Sequence, residues 1–400
     1  MSGSIAVGSL TELGYIAEVT FGTTPVSSAF QRIRDVSFSV NLQKEAYQSE
    51  ERRSDRQRQD VRHGYRSVTG DITGELSQQS WDDFIQAIMG GTWATGASAP
   101  FSSVASNSAT NRITVGSANF PTLGVRVGDV FAITATPAVA GLTDRFFTAL
   151  SVGVSTIEVE PGTIGTTATA SATISVAGRK VAIGNTYRSF TIERWLTDRN
   201  LYQQFRGVRM NQMTISIPAS GLVTVTFSVI GQDGTGFSST SAASTYTASP
   251  QTTPFAAVNG EIYEGGVVLG LVTAAELTVN NNMAGPQVVG TSVTPDLLFG
   301  RFADVSGTIT VLFTNADMHN KFVNETESTL ILRLQNKDLL DSTTEFVTLV
   351  LPRIKYSGGD VDDSPDTGIT VTMPFVALKP LAANVVQGTS SISIQRGNAA

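Results

Sequence analysis

Four short strings recur in the same order along this chain, and that recurrence narrows the folds open to it. Phe38-Ser-Val-Asn41 returns as Leu277-Thr-Val-Asn280, and Val68-Thr-Gly-Asp-Ile-Thr73 returns as Val305-Ser-Gly-Thr-Ile-Thr310. A short helix candidate follows each second string. Gly221-Leu-Val-Thr-Val-Thr226 is echoed by Gly368-Ile-Thr-Val-Thr372, each downstream of an Arg-apolar pair, Arg209-Met210 and Arg353-Ile354. Shared order, spacing and residue type imply a duplicated unit.

At 400 residues the chain is too long for one ordinary core and predicts two to three domains. With 15% charged residues, 37 glycines and many Ser and Thr, the composition favours strands joined by turns. Cysteine is absent, so disulfides, thiolate nucleophiles and cysteine zinc sites are excluded, and packing and assembly must supply stability. The start, Met1-Ser-Gly-Ser-Ile-Ala-Val-Gly, lacks a secretory pattern and predicts cytosolic synthesis. The most apolar stretch, 267–277, is interrupted by Gly270, Thr273 and Glu276, and is too short to span a membrane. A net charge of −7 argues against phosphate neutralisation as a source of binding energy, so nucleic acid should be repelled.

Residues 36–42 alternate as a half-buried strand with Ser37, Ser39 and Asn41 on its polar side. Residues 44–66 break that pattern with seven basic and five acidic side chains, a local charge of 7 − 5 = +2. After the strand 68–76, Ser77 or Ser80 is the expected cap of a helix whose stripe is Trp81, Phe84, Ile85, Ile88 and Met89, ended by Gly90-Gly91. The second copy offers Thr314 or Asn315 as cap and a thinner stripe, Met318 and Phe322.

The first helix and the strand 190–196 are separated by a stretch that the second copy lacks, which reads as an insertion. Its Ser/Ala/Thr-rich ends, 96–110 and 162–172, flank short strands expected at 112–115, 125–133, 145–152 and 156–159, with a turn at Gly124-Val-Arg-Val-Gly-Asp129. The expected organisation is mainly β. A first unit covers 1–93 with 180–236, a small inserted β-barrel 94–179, a linker 237–257, a second unit 258–385 and a C-terminal tail 386–400. Each unit is a β-sandwich or barrel with one short helix.

Catalytic patterns are weak. His63 and His319 have no sequence partner, and neither a zinc-protease nor a Walker pattern occurs. Gly231-Gln-Asp-Gly-Thr-Gly236 is a turn without a following helix. Asp360, Asp362, Asp363 and Asp366 could offer oxygens to calcium, but Pro365 and Val371 stand where the helical calcium motif needs glycine and a bidentate acid, so a solvated acidic hairpin is favoured. No catalytic residue, metal site or cofactor is expected. The mixed-charge stretch reads either as a solvated arm or, with Tyr47, Val61 and Tyr65 among its charges, as a docking arm. Its counterpart, 281–302, is nearly uncharged and carries Leu297, Leu298 and Phe299.

Phe21-Gly-Thr-Thr-Pro25, Ser49-Glu-Glu-Arg-Arg-Ser-Asp-Arg-Gln57, Gly70-Asp-Ile-Thr-Gly-Glu-Leu76 and Trp81-Asp-Asp-Phe84 resemble the major tail tube proteins of long-tailed, siphovirus-like bacteriophages. The insertion resembles the small β-barrels that decorate such tubes. The resemblance implies a structural virion protein, without enzymatic activity, made in the host cytoplasm and placed in the tail. It implies inner sheets joined between subunits into rings that stack into a tube, here with a duplicated unit so that three chains supply six. Its implied partners are other copies of itself, a tape measure protein and double-stranded DNA in the bore, and tail terminator and tail tip proteins.

Under that expectation the bore is lined by Ser37, Ser39, Asn41, Asp71, Thr73 and Glu75 from one copy and by Thr278, Asn280, Ser306, Thr308 and Thr310 from the other. Contacts between rings fall to Arg52, Arg53, Asp55, Arg56, Arg58 and Asp60 of the arm and to Leu297, Leu298 and Phe299. The rival expectation is a phage receptor-binding or decoration β protein that recognises a host surface, and a polysaccharide-active enzyme comes third.

Overall fold

Strand Leu201–Pro218 lies antiparallel to strand Val272–Asn280, and this pairing joins the two halves of the chain into one sheet, with Thr214 opposite Thr278. The structure, a computed structural model, describes all residues except 1–4, 27, 59, 137, 140, 144, 338–342, 364–367, 382–384 and 399–400, and the side chains of 168–170. It is mainly β, with three short α-helices among the described residues.

From the central pairing the sheet extends both ways. On the first-half side, Leu201–Pro218 pairs with Thr224–Gly231, which pairs with Val61–Glu75, which pairs with Ser37–Phe38 and Asn41–Gln48. On the other side Val272–Asn280 pairs with Asp304–Leu312, then Thr370–Ala377, then Phe346–Tyr356 and Asp360–Asp362. Eight strand positions result when Ser37–Phe38 with Asn41–Gln48, and Phe346–Tyr356 with Asp360–Asp362, each count as one. Gly70 makes the bend between arm and sheet: at φ 147° a Cβ would lie 2.5 Å from the Val40 Cα.

The long strands also serve a second layer. Leu201–Pro218 turns to pair with Phe190–Leu196, which pairs with Thr11–Ala17, while Phe346–Tyr356 pairs with Ser328–Gln335 and, beyond it, Glu261–Glu264. Alternation then buries Val68, Ile72, Phe227, Ile215, Leu277 and Ile309 between the layers. Helix Asp82–Met89 places Phe84, Ile85, Ile88 and Met89 in that core, and Trp81 and Phe84 pack on Phe227 at 5.5 and 5.6 Å between ring centroids. Gly90 ends it in the left-handed region, as expected. Neither Ser77 nor Ser80 caps it. Their hydroxyls bond each other at 2.7 Å and face Arg34, and Trp81 holds the cap position.

The inserted stretch forms a separate seven-stranded sheet with its own core around Phe120, Phe131, Phe147 and Ile174. Strands appear at Arg112–Val115 and Thr156–Glu158 as expected, but 125–129 is turn and the next strand is Val130–Thr134. The two longest strands are Ser98–Asn107 and Thr167–Val176, in the Ser/Ala/Thr-rich ends read as flanks. Their ladder leaves the sheet open rather than closed into a barrel: its edge strands are Phe146–Thr148 and Ser151–Val152. Only residues 149 and 150 separate these edges, so the sheet must curl until they approach. Its underside packs on Tyr263, Ile331 and Val350 of the second half.

Two further expectations are corrected. The stretch 237–257 is packed rather than a loose linker, with Thr245–Thr247 parallel to Ala29–Arg32 and Phe255 fully buried. Residues 386–400 are not a tail alone, because Ser393–Arg396 pairs with Phe346–Tyr356 on one side and Arg179–Ala182 on the other.

Candidate assembly surfaces

Because neighbouring strands keep one side-chain phase, their polar residues line up across the sheet. Ser37 lies opposite Thr73, Thr73 opposite Thr226, Thr226 opposite Thr214, and Thr214 opposite Thr278, which faces Ser306. Hydroxyl contacts of 3.1 Å between Thr73 and Thr226, 3.2 Å between Thr214 and Thr278, and 3.3 Å between Thr310 and Thr372 run across these pairs. Ser228 donates to Asp71 at 2.6 Å. All eleven residues expected along a bore, namely Ser37, Ser39, Asn41, Asp71, Thr73, Glu75, Thr278, Asn280, Ser306, Thr308 and Thr310, share this face, and all but Ser37, between exposed Val36 and half-buried Phe38, adjoin a buried residue.

Two of the repeated strings are two residues out of register with the ladders. Phe38 lies opposite Ile72 and Ala275 opposite Ile309, so the strand pairing matches Phe38 with Ala275 rather than Leu277. Met210 lies opposite Val229 and Tyr356 opposite Phe375, which displaces the Arg-apolar pair by the same two residues. A shift of two keeps every side chain on its face.

The charge on this face is mostly acidic; it includes the cation Lys355, opposite Val376, which in turn lies opposite Ser306. Across 37–41, 69–75, 212–218, 224–230, 274–280, 304–312, 360–362 and 370–376 the carboxylates are Asp71, Glu75, Glu276, Asp304, Asp360 and Asp362, and no Lys, Arg or His occurs. The sheet has two free edges among the described residues. One is the first strand, 37–48, and the other is Asp360–Asp362, where Val361 is 50% exposed while Ile215 of the paired central strand is 1% exposed.

The charged stretch is a hairpin. Asn41–Gln48 pairs with Val61–Glu75, Tyr47 opposite Arg62, and the tip carrying Arg52, Arg53, Asp55, Arg56, Arg58 and Asp60 is exposed. Arg53 pairs with Asp55 at 3.1 Å and Arg62 with Asp60 at 3.3 Å. The guanidinium of Arg53 holds the Asp55 carboxyl below the usual carboxylate range.

The counterpart 281–302 folds onto the first half. Asn281 donates to the Ile88 carbonyl at 2.8 Å, Arg66 N–H to Ser292 at 2.7 Å, and Tyr65 to Pro286 at 3.1 Å. Leu297 is buried within the chain and accepts from Arg209, whose guanidinium pairs with Asp296 at 2.8 Å. Phe299 stacks on Tyr187 with centroids 4.3 Å apart, so of the three apolar residues only Leu298 is presented outward.

His63 sits in the arm and His319 edges onto Phe322, with centroids 6.2 Å apart. Among the described residues no group of three or more His, Cys, Asp or Glu is placed to hold a metal ion. Pro365 and Asp366 of the acidic hairpin lie outside the described residues. No described helix is long and apolar enough to cross a membrane.

A family model described as "Phage tail tube protein" matches residues 8–377. No curated protein matches the chain.

Proposed function

The chain belongs to the phage tail tube protein family, and from that premise we propose that three copies close a ring whose bore conducts double-stranded DNA. As a structural tail tube protein it self-assembles into the tube of a phage tail. The proposed unit of assembly is a duplicated half, 1–93 with 180–236 and then 258–385, carrying a decoration-type insertion at 94–179.

The observation that carries this reading is the pairing of Leu201–Pro218 with Val272–Asn280. It joins one half to the next, and each half then leaves an equivalent strand free. Thr214 lies opposite Thr226 as Asp360 lies opposite Thr372, and Thr278 lies opposite Ser306 as Asn41 lies opposite Thr69. Repeating the junction between chains sets Asp360 opposite Asn41 and Asp362 opposite Ser39 of the next copy. Three chains of eight strands give 24, a barrel in the range of about 16 strands and above that leaves an open lumen. Both exposed edges, an aggregation hazard in a free chain, become paired.

The mostly acidic polar face then lines the bore, its Lys355 paired with Glu325 and Glu327 at 3.8 and 3.9 Å. Phosphates meeting mainly hydroxyls and carboxylates find few counterion-releasing partners, so DNA slides without being held. A tape measure protein would occupy the same bore before DNA, the arm 44–66 would reach the adjacent ring, and terminator and tip proteins would cap the stack. Siphovirus-like tail type completes the proposal. Electron microscopy of the purified protein tests it: hollow filaments of uniform width built from three-chain rings are expected, and globular particles without a through-hole would overturn it.

A further inference from the structure

Resting on the ring reading above, we propose that residues 5–7 of one copy are a strap that inserts into the second half of its neighbour, between Phe313 and Ile369.

The template lies within the chain. Leu76 N–H bonds the Val223 carbonyl at 2.9 Å, and Phe255 enters beside them as a third strand. Its N–H bonds the Leu76 carbonyl and its carbonyl accepts from Val223, both at 2.9 Å, with Ser77 opposite Pro254 and Leu222 opposite Ala256. Residues 254–256 precede the second half but lie on the first, so the first half is strapped by the segment that leads into its successor.

The same slot recurs in the second half. Phe313 N–H bonds the Ile369 carbonyl at 2.8 Å, three residues after Thr310 as Leu76 comes three after Thr73. No described residue takes the third place there. Phe313 is 41% and Ile369 45% exposed, where Leu76 and Val223 are buried, and the groove alongside, about 400 Å3, is lined by Leu271, Leu312, Met318 and Val371. An apolar edge of this kind is a docking surface.

Two features identify its occupant. A single 3-10 turn, Gly8–Leu10, precedes the first strand of one half, as Ala257–Asn259 precedes that of the other. Leu10 N–H bonds the Val7 carbonyl and Asn259 N–H the Ala256 carbonyl, both at 3.1 Å, and Val7 and Ala256 are both extended. The offset is 257 − 8 = 249, which places Ile5, Ala6 and Val7 on Pro254, Phe255 and Ala256. Ile5 is 89% exposed in the single chain, and Val7 is anchored by its N–H to Asp198 Oδ2 at 3.0 Å.

Volumes agree as well. Leu76, Val223 and Phe255 become Phe313, Ile369 and Ala6, so a smaller strap meets larger walls, the exchange that a packed core tolerates best. A neighbour joined at the free edge in the manner of the internal junction delivers its residues 5–7 to this slot.

The chain has no cysteine of its own, so an Ile5→Cys, Thr314→Cys pair, the positions matching Pro254 and Ser77, reports the contact directly. Mild oxidation of assembled tubes is expected to give two-chain and three-chain species on a denaturing gel. Tubes of parental width that yield only single chains would overturn the strap and leave the ring reading standing. Deletion of residues 1–7 supplies the second arm: a folded chain at least tenfold poorer in ring formation is expected, and assembly equal to the parent would overturn the proposal. If the parent protein itself forms no rings, the ring reading fails and the strap fails with it.

Discussion

Arg333 forms an ion pair with Glu160, and this contact fastens the inserted sheet to the second half of the chain. Arg333 is 4% exposed, pairs also with Glu261 at 2.7 Å, and lies 5.3 Å from the Tyr263 ring centroid. Glu160 accepts the Thr148 N–H through both carboxylate oxygens at 3.0 Å. Removing one partner strands a buried charge, which costs about 3–5 kcal/mol. Arg333→Met is therefore expected to lower stability by that order in denaturant titration, and adding Glu160→Leu to recover part of it. A double variant no better than the single would show that the pair is not coupled.

Val361 is the exposed apolar residue of the free edge, at the position that Ile215 holds in the central strand. Val361→Asp leaves the isolated chain little changed, because the side chain already meets water. In the ring it would bury an unpaired carboxylate at every junction, a penalty of several kcal/mol each. Sedimentation is expected to find folded single chains and no rings. Normal rings would refute the proposed edge pairing.

The alternation of 37–41 and 69–75, the helix stripe from Trp81 to Met89 and its Gly90 end were legible because each follows one local period. What the sequence concealed has physical reasons too. Strands Ser98–Asn107 and Thr167–Val176 bury residues such as Val104, Ala172 and Ile174 among Ser and Thr, so small side chains disguised central strands as flanks. The two-residue misregister of Phe38 and Leu277 left the polar face intact, since a period of two cannot register it. Leu297 looked free because its cover, Arg209 with its neighbours, lies 88 residues away.

Asp35 offers a pH test. Burial raises its carboxyl above the usual range, with a smaller opposing pull from its own backbone N–H. A raised folded pKa means that the folded state binds the proton more tightly than the unfolded one. Stability from this group is thus fully present below the ordinary carboxylate pKa and is lost as pH rises through the folded value. Asp35→Asn is expected to be more stable than the parent at neutral pH, with the gap closing on acidification. A gap that widens at low pH would contradict the assignment.

The arm tip carries the proposed contact between rings. Charge reversal at Arg52, Arg53 and Arg56 removes the exposed Arg53–Asp55 pair, a solvent-screened surface contact too weak to hold the fold. Three reversals change each copy by 3 × −2 = −6 and turn attraction to an adjacent ring into repulsion. Shorter tubes or isolated rings are expected by electron microscopy, with partial recovery at high salt. Tubes of parental length at low salt would remove the arm from stacking.

The scarcity of cations on the polar face gives the most direct functional test. Glu276→Lys with Thr308→Lys changes only residues on that face, and two substitutions in each of three chains place six ammonium groups in every ring. Each phosphate they engage steepens the dependence of log K on log salt by about −0.9. Assembled variant tubes are expected to retain duplex DNA at low salt and release it as salt rises, while parental tubes pass it at both. If the variant tubes show no retention, these residues face away from the DNA, and the opposite face of the sheet, with its apolar side chains, would have to be reconsidered as the wall of the bore.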